Sequence, residues 1–378
     1  MLFRLPIVKF FNRILNRITV TVVLVALQLA WLAWVFFALT TGTARVWVTG
    51  VLNGLSLLII LYLVRKDENS AYKVGWIALI GLLPLLGGAL YLAFGNKRPS
   101  RRLRSKMQAV EQAHRTDRAQ QPGQTAGLCD ENRGVSRYLT QYGCYPAWQN
   151  TTARYFSCGE AMYPALLADL EKAEKFILID FFIVAEGAIW DKLHEILLRK
   201  IDEGVEVKFM YDDFGAAIRT GKYFKRVLED EGFEVRVFNP IHKYTGELYM
   251  NFRSHQKILI IDGEVGYTGG FNLADEYANL IERFGVWKDT GVRICGEGVW
   301  GLTVVFLQMW EVCGRDEKHI DYFKYKAIYP RVGNTYCQVI SDGPANNPRN
   351  PIESIYNQMI MYSNKYLYIT TPYLIIED

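Results

Sequence analysis

The chain has 378 residues, half of them hydrophobic and 14% aromatic, with a net charge of +4. That length allows two domains, the apolar content suggests a membrane part, and the charge is too small to point to a nucleic-acid binder. The six cysteines, at 129, 144, 158, 295, 313 and 337, form no C-x-x-C pair, and no His/Cys group has metal-ligand spacing; neither a disulfide framework nor a metal site is expected, and no cofactor.

Residues 1–95 are predicted to be a membrane region. Three uncharged apolar stretches, Ile18–Thr40, Val46–Val64 and Val74–Phe94, approach the ~20 residues that span a bilayer. Three in succession do not fit a cleaved leader. Trp76 and Tyr91 lie where interfacial aromatics gather, and Pro84, Gly87 and Gly88 interrupt the third stretch. Arg4, Lys9, Arg13 and Arg17 precede the first stretch; Lys97, Arg98, Arg101, Arg102, Arg104 and Lys106 follow the third. Both flanks therefore read as cytoplasmic, which three full crossings cannot satisfy, so one stretch is re-entrant or interfacial, or one flank breaks the rule. The denser cluster favours a cytoplasmic C-terminal part at the cell membrane. Contact with anionic headgroups and a solvated basic linker fit that cluster equally well.

Residues 96–135 are expected to be a polar, basic linker with some helix. An α/β domain follows over 136–335. Helices are predicted over 162–174, 191–202 (with Gly204 at its C-cap) and 222–231, and strands over 176–184, 205–211 and 234–238. Their alternation implies βαβ units and a mixed, largely parallel sheet with flanking helices. Short strands over 256–261 and 266–268 flank the turn Asp262-Gly263. The run Lys175-Phe-Ile-Leu-Ile-Asp is echoed 190 residues later by Lys365-Tyr-Leu-Tyr-Ile-Thr. A repeat of that period implies a duplicated domain whose second copy starts near residue 336, so 336–378 is expected to be the start of an incomplete second repeat and the chain a fragment.

Chemistry concentrates at His255-Gln-Lys257-Ile-Leu-Ile-Ile-Asp262, an H-x-K-x4-D pattern followed by Gly269-Gly270-Phe271-Asn272. Residues two apart on a strand share a face, and glycines let backbone approach a bound group. An imidazole, an ammonium and amide donors suit a phosphate: the imidazole can attack phosphorus and the lysine can neutralise charge on the phosphoryl oxygens. Chance would produce this pattern in ~1% of such chains, which favours chemistry over an incidental His and Lys on a strand. His194 falls on a helix beside charged residues and His114 and His319 in polar segments, away from the motif, while His242 precedes the motif strand and could approach the site. Asp212 and Asp213 could be read as a carboxylate pair for acid/base work.

The pattern resembles the H-x-K-x4-D-x6-G-[SG]-x-N motif of the phospholipase D superfamily. The surroundings resemble its cardiolipin synthase branch: Tyr211-Asp-Asp-Phe-Gly215, Phe238-Asn-Pro240, Asn251-x-Arg253-x-His255, Gly269-Gly-x-Asn-x-Ala-Asp-Glu-Tyr277, Trp287-Lys-Asp-Thr290, Gly296-x-Gly-Val299, Met309-Trp310, Ser341-x-Gly-Pro344, Thr370-Thr-Pro-Tyr373 and the membrane stretch Trp76-to-Gly95. The resemblance covers residues from about 50 onward. It departs in three places: Gly270 stands where a serine is usual, Ile18–Thr40 is an extra apolar stretch, and one H-x-K-x4-D motif is present where the family has two sharing one site.

The resemblance implies phosphatidyl transfer between two phosphatidylglycerol molecules, giving cardiolipin and glycerol. It casts His255 as nucleophile, Lys257 as holder of the phosphate oxygens and Asp262 as the group that orients His255 or supports its charge. Arg253, Gly270 and Asn272 are implied substrate-binding positions, and Asp212 and Asp213 are implied to be structural neighbours of the site rather than an acid/base pair. Phosphatidylglycerol and anionic membrane lipids are the implied partners; nucleic acid is not, and a homo-oligomer is compatible. With half a site, the chain alone is expected to be inactive. Another phosphatidyltransferase, a lipid hydrolase or an inactive membrane-anchored lipid binder are the alternatives.

Overall fold

The computed structural model describes residues 43–66, 70–95, 101–118, 125, 127–240, 252–314, 319–343 and 351–371, with isolated positions 26, 29 and 30. The stretch Ile18–Thr40 lies almost wholly outside them, as does His242. Two compact units are present: Met1–Arg98 with His242–Tyr249 and Tyr368–Asp378, and Pro99–Ile241 with Met250–Leu367.

In the first unit, α1 (Thr43–Arg65) covers the second apolar stretch. The third is broken at Leu83 into α2 (Ser70–Leu82) and α3 (Pro84–Phe94). Pro84 has no N–H to extend α2 and instead opens α3. The two helices turn back on each other: Trp76 meets Tyr91 edge-on at 5.4 Å, and the Tyr72 hydroxyl donates to the Gly95 carbonyl at 3.1 Å. Gly87 makes the approach possible, since a Cβ there would lie 2.5 Å from the Leu79 carbonyl oxygen. Leu63, Ile80 and Tyr91 form a small core, while Val46, Trp47, Leu58 and Leu82 are exposed. Among the described residues, no helix is long and apolar enough to cross a membrane.

The second unit begins with α4 (Arg101–Ala113) and α5 (Asp130–Gly143), followed by β1 (Trp148–Phe156), α6 (Gly159–Leu170) and β2 (Phe176–Phe181). Next come α7 (Ala188–Asp202), β3 (Glu206–Asp212), the single turn α8 (Asp213–Ala216), α9 (Phe224–Asp230) and β4 (Glu234–Phe238). The hairpin of β5 (Lys257–Ile261) and β6 (Val265–Gly269) precedes β7 (Gly291–Gly296), α10 (Val299–Cys313), β8 (Thr335–Cys337) and α11 (Pro351–Met361).

The eight strands form one sheet in the order β4-β3-β2-β5-β6-β7-β1-β8. The pairs β2–β3 and β3–β4 are parallel and every other pair is antiparallel. The expected mixed sheet is present, but it is largely antiparallel rather than largely parallel. Crossover helices α7 and α9 force parallel pairing between β2, β3 and β4; a tight turn at Asp262-Gly263 forces the opposite between β5 and β6. Gly204 follows α7 with φ +90°, the left-handed conformation expected past a helix end.

Two cores flank the sheet. One packs Leu166, Trp190, Leu193 and Leu228 from α6, α7 and α9 on Ile177, Phe209 and Leu259. The other packs Trp300, Phe306 and Trp310 of α10 on Leu178, Met210 and Ile260. α10 is buried along nearly its whole length, a cost that only an apolar helix avoids. The region expected to be a linker contains α4, which lays Leu103 and Met107 on the α10 core. The expected second repeat also differs. Thr335–Cys337 adds to the edge of the same sheet beside β1, and residues 366–371 form no strand.

Candidate active site

The site forms where β2 and β3 end and β5 begins. Parallel strands present their carboxyl ends together, and β5 runs antiparallel to β2 in the register Phe181↔Lys257. The end of β2 carries Phe182, the end of β3 carries Asp212, and the segment entering β5 carries Arg253, Ser254 and His255. His255 is exposed, with its ring 4.8 Å from that of Phe182. Lys257, the first residue of β5, is buried; its Nζ donates to the His255 carbonyl at 2.8 Å and lies 5.6 Å from the Phe182 ring centre. The expected strand pair is thus a strand residue and a residue just before the strand, both beside Phe182.

Beneath them lies a layer of carboxylates. Asp180 is fully buried in β2, close to the Ser254 hydroxyl at 3.5 Å, and its Oδ1 has no hydrogen-bond partner among the described residues. Burial, then the charge of Asp212, pushes its carboxyl well above the ordinary range. Asp212 accepts from the backbone N–H groups of Phe214 (2.9 Å) and Ser254 (3.0 Å), and from Arg253 Nη1 at 3.4 Å. Burial raises its pKa to about 6 against these contacts. Burial lowers Lys257 to about 8, opposed by Asp180 and Asp289. His255, exposed but partly desolvated where its ring packs on Phe182, is also lowered, first by that desolvation and then by the cation of Lys257. The result is an imidazole held neutral near neutral pH beside an ammonium, as an attacking nitrogen requires.

The other expected site residues divide. Arg253 is half-buried and anchored inward, donating to the Asn239 carbonyl at 2.8 Å. Asn272 is buried: its Oδ1 accepts from Ile183 N–H (2.9 Å) and its Nδ2 donates to the Tyr277 hydroxyl (2.7 Å). It ties the loop after β6 to the end of β2. Gly270 is exposed, and a Cβ there would overlap Asp289 Oδ1, so the usual serine would require the Asp289 side chain to shift. Asp262 does not approach His255. It stands at the far end of β5, where its carboxylate accepts the N–H groups of Glu174, Lys175 and Phe176 at 2.7–2.8 Å. The turn after β5 requires this placement, and the carboxylate fixes the start of β2 rather than the imidazole.

Asp180 escaped the sequence reading, although a lone carboxylate inside the apolar run Phe176-Ile-Leu-Ile-Asp-Phe was its signal. Asp213 extends into the turn α8 and Asp212 caps it, as structural neighbours of the site. His194 pairs with Glu231 at 2.8 Å and stacks on Trp190. A cavity of about 800 Å³ opens beside His255 and Lys257. Its walls are mostly apolar, with Leu103 and Met107 of α4, Val305 and Met309 of α10, and Ile355 and Met359 of α11, interrupted by Glu111, Gln308 and Asp342.

Residues 166–288 match the family model described as "Cardiolipin synthase, PLD-like domain", and residues 54–96 match "Phospholipase_D-nuclease N-terminal". A cardiolipin synthase of Oceanobacillus iheyensis is 32% identical over 339 residues, which are 87% of this chain and 69% of that one. The chain belongs to the cardiolipin synthase family. An uncharacterised protein of Streptococcus mutans serotype c is 35% identical, across 84% of this chain and 69% of its own length. A cardiolipin synthase of a Geobacillus species is 30% identical, across 88% and 68%. Of solved structures, NucT from Helicobacter pylori overlaps 43% of this chain and 98% of its own, with 13% identity and a TM-score of 0.34. Membership makes the chain a phosphatidyltransferase of the phospholipase D superfamily, with a role in lipid metabolism.

Proposed function

We propose that the chain carries one half of a site that transfers a phosphatidyl group from one phosphatidylglycerol to another, giving cardiolipin and glycerol. The observation that carries this reading is the exposed His255 ring, disposed toward its neutral form, beside buried Lys257 at the mouth of an apolar-walled cavity. His255 attacks phosphorus, a P–N bond forms, and the P–O bond to glycerol breaks. Lys257 neutralises the oxygens as negative charge gathers on them. A general acid protonates the departing glycerol oxygen. The hydroxyl of a second phosphatidylglycerol, deprotonated by the same group, then displaces the imidazole. That acid/base group is assigned to a second H-x-K-x4-D motif, of which these 378 residues hold one copy; the chain alone is therefore expected to be nearly inactive. The apolar cavity wall suits acyl chains or the glycerol backbone of the lipid.

The first unit is the membrane attachment in this reading. Its exposed apolar side chains suit lipid, and the α2–α3 hairpin enters and leaves the bilayer by one face. Its arms of 13 and 11 residues are too short for full crossings, and Tyr72 and Gly95 close its open end. A re-entrant third stretch accounts for basic residues on both flanks of the membrane region. The catalytic unit then faces the cytoplasm at the cell membrane.

The test is covalent trapping. Enzyme carrying both motifs is mixed with phosphatidylglycerol, quenched in alkali and digested. A phosphatidyl adduct is expected on the peptide containing His255 and absent after His255→Ala; an adduct on a different residue would overturn the assignment.

A further inference from the structure

His114, Glu311 and His319 come from three separate parts of the chain: the turn after α4, the last turn of α10, and the segment beyond it. His114 Nε2 lies 3.1 Å from Glu311 Oε1, and His319 Nδ1 lies 3.0 Å from Glu311 Oε2. One ligand atom from each residue fits within 4.8 Å of the others. Around a tetrahedral zinc with bonds of ~2.0 Å, neighbouring ligand atoms lie ~3.3 Å apart; each histidine is already that close to one Glu311 oxygen, though not to the same one, and the set of three closes from within 4.8 Å by side-chain rotation.

Two further observations point to a cation. Asp117 Oδ2 sits 2.7 Å from the other nitrogen of His114, Nδ1. A carboxylate on Nδ1 holds the hydrogen there and leaves the Nε2 lone pair facing outward, the arrangement that supports metal-bound histidines. In that tautomer the lone pair faces Glu311 Oε1, which also accepts the Ile320 N–H at 2.7 Å, and a cation would bridge the two electron-rich groups. Glu311 is buried to 6% exposure, and among the described residues no lysine or arginine pairs with it. A buried carboxylate is costly without a positive partner. The His114 ring is itself fixed, stacked on Tyr322 at 3.7 Å.

We propose that His114, Glu311 and His319 bind a divalent transition-metal ion of the zinc type, with water completing the tetrahedron. Binding uses the two imidazole lone pairs and one carboxylate oxygen, and any proton held on those nitrogens passes to solvent. The ion would act on the fold by crosslinking, with one open position left to water. It would join the end of α4 to α10, and α4 contributes Leu103, Met107, Val110 and Glu111 to the wall of the cavity beside His255. None of the three ligands takes part in the phosphatidyl-transfer chemistry, so the proposal stands apart from the assignment of His255. The residues lie 197 and 8 positions apart, and no local spacing reveals them.

The test uses the full chain in detergent, stripped with chelator and titrated with Zn²⁺ alone, with calorimetry and elemental analysis as readouts. One zinc per chain is expected. At a hundredfold excess over Kd, the melting temperature should rise by about 5–10 °C. His319 is half-exposed, so His319→Ala leaves the fold intact and is expected to abolish stoichiometric binding. Asp117→Asn should weaken binding by ~10–100-fold. His194→Ala, which removes a histidine paired elsewhere, should bind as the parent does. No retained zinc and no thermal shift would overturn the proposal, as would zinc binding unchanged by His319→Ala and Glu311→Gln together.

Discussion

Lys257 sits under conflicting influences: burial favours its neutral form, while Asp180 and Asp289 favour the cation. Burial prevails in part and leaves a pKa of about 8. If the ammonium holds the phosphoryl oxygens, activity of the enzyme carrying both motifs should fall as pH rises through about 8. On the acid side, the neutral imidazole is lost as pH falls through a His255 pKa lying below the ordinary 6.5. The expected profile is a bell, measured as log(kcat/KM) against pH. Lys257→Arg should push the alkaline limb upward, because a guanidinium stays charged; an unmoved limb would remove Lys257 from the assignment. Asp262 calls for a different signature. Asp262→Ala leaves three backbone N–H groups without their acceptor and should cost ~3 kcal/mol of stability. Denaturant titration should show that loss while the pH limbs stay in place, whereas a displaced acid limb would tie Asp262 to the imidazole after all.

At the scale of elements, the α2–α3 hairpin depends on one small residue. Gly87→Leu places a side chain against the Leu79 carbonyl and should part the helices, at a cost of ~1–3 kcal/mol. A cysteine pair at Trp76 and Tyr91, whose rings are in contact, reports the change: crosslinking should be efficient in the parent hairpin and lost with Gly87→Leu. Equal crosslinking in both would show that the approach of the helices does not need glycine. The sequence disclosed these elements unevenly. β4 was readable over its full length because Glu234–Phe238 alternates between flanking turns, and α7 because its apolar face repeats at helical spacing. The polar β1 strand, Trp-Gln-Asn-Thr-Thr-Ala-Arg-Tyr-Phe, carries no such pattern and went unread. Pairing direction was misjudged because periodicity records which face is buried, not which neighbour a strand takes. At the site, His255, Lys257 and Asn272 were legible as a motif. The displacement of Asp262 and the burial of Asp180 needed the register of β2 against β5.

Across the whole molecule, one H-x-K-x4-D motif is set against the proposed reaction, which would use an acid as well as a nucleophile. The 378-residue chain should therefore turn over ~10²–10⁴-fold more slowly than an enzyme with both motifs. Cardiolipin formed in phosphatidylglycerol micelles, followed over a range of protein concentrations, measures this. Full turnover from the chain alone would refute it, and a rate rising with the square of concentration would reveal two chains completing one site. The strand order has a further consequence for the nascent chain. β1 takes its partners from β7 and β8, with Thr151 opposite Gly296 and Thr335, while β2, β3 and β4 pair among themselves soon after they are made. At ~5–20 residues per second on the ribosome, β1 emerges roughly 7–30 s before the strand that will hold it. The strand with this long wait is the one bearing Gln149, Asn150, Thr151, Thr152 and Arg154, a run that water can solvate until Gly291–Gly296 arrives.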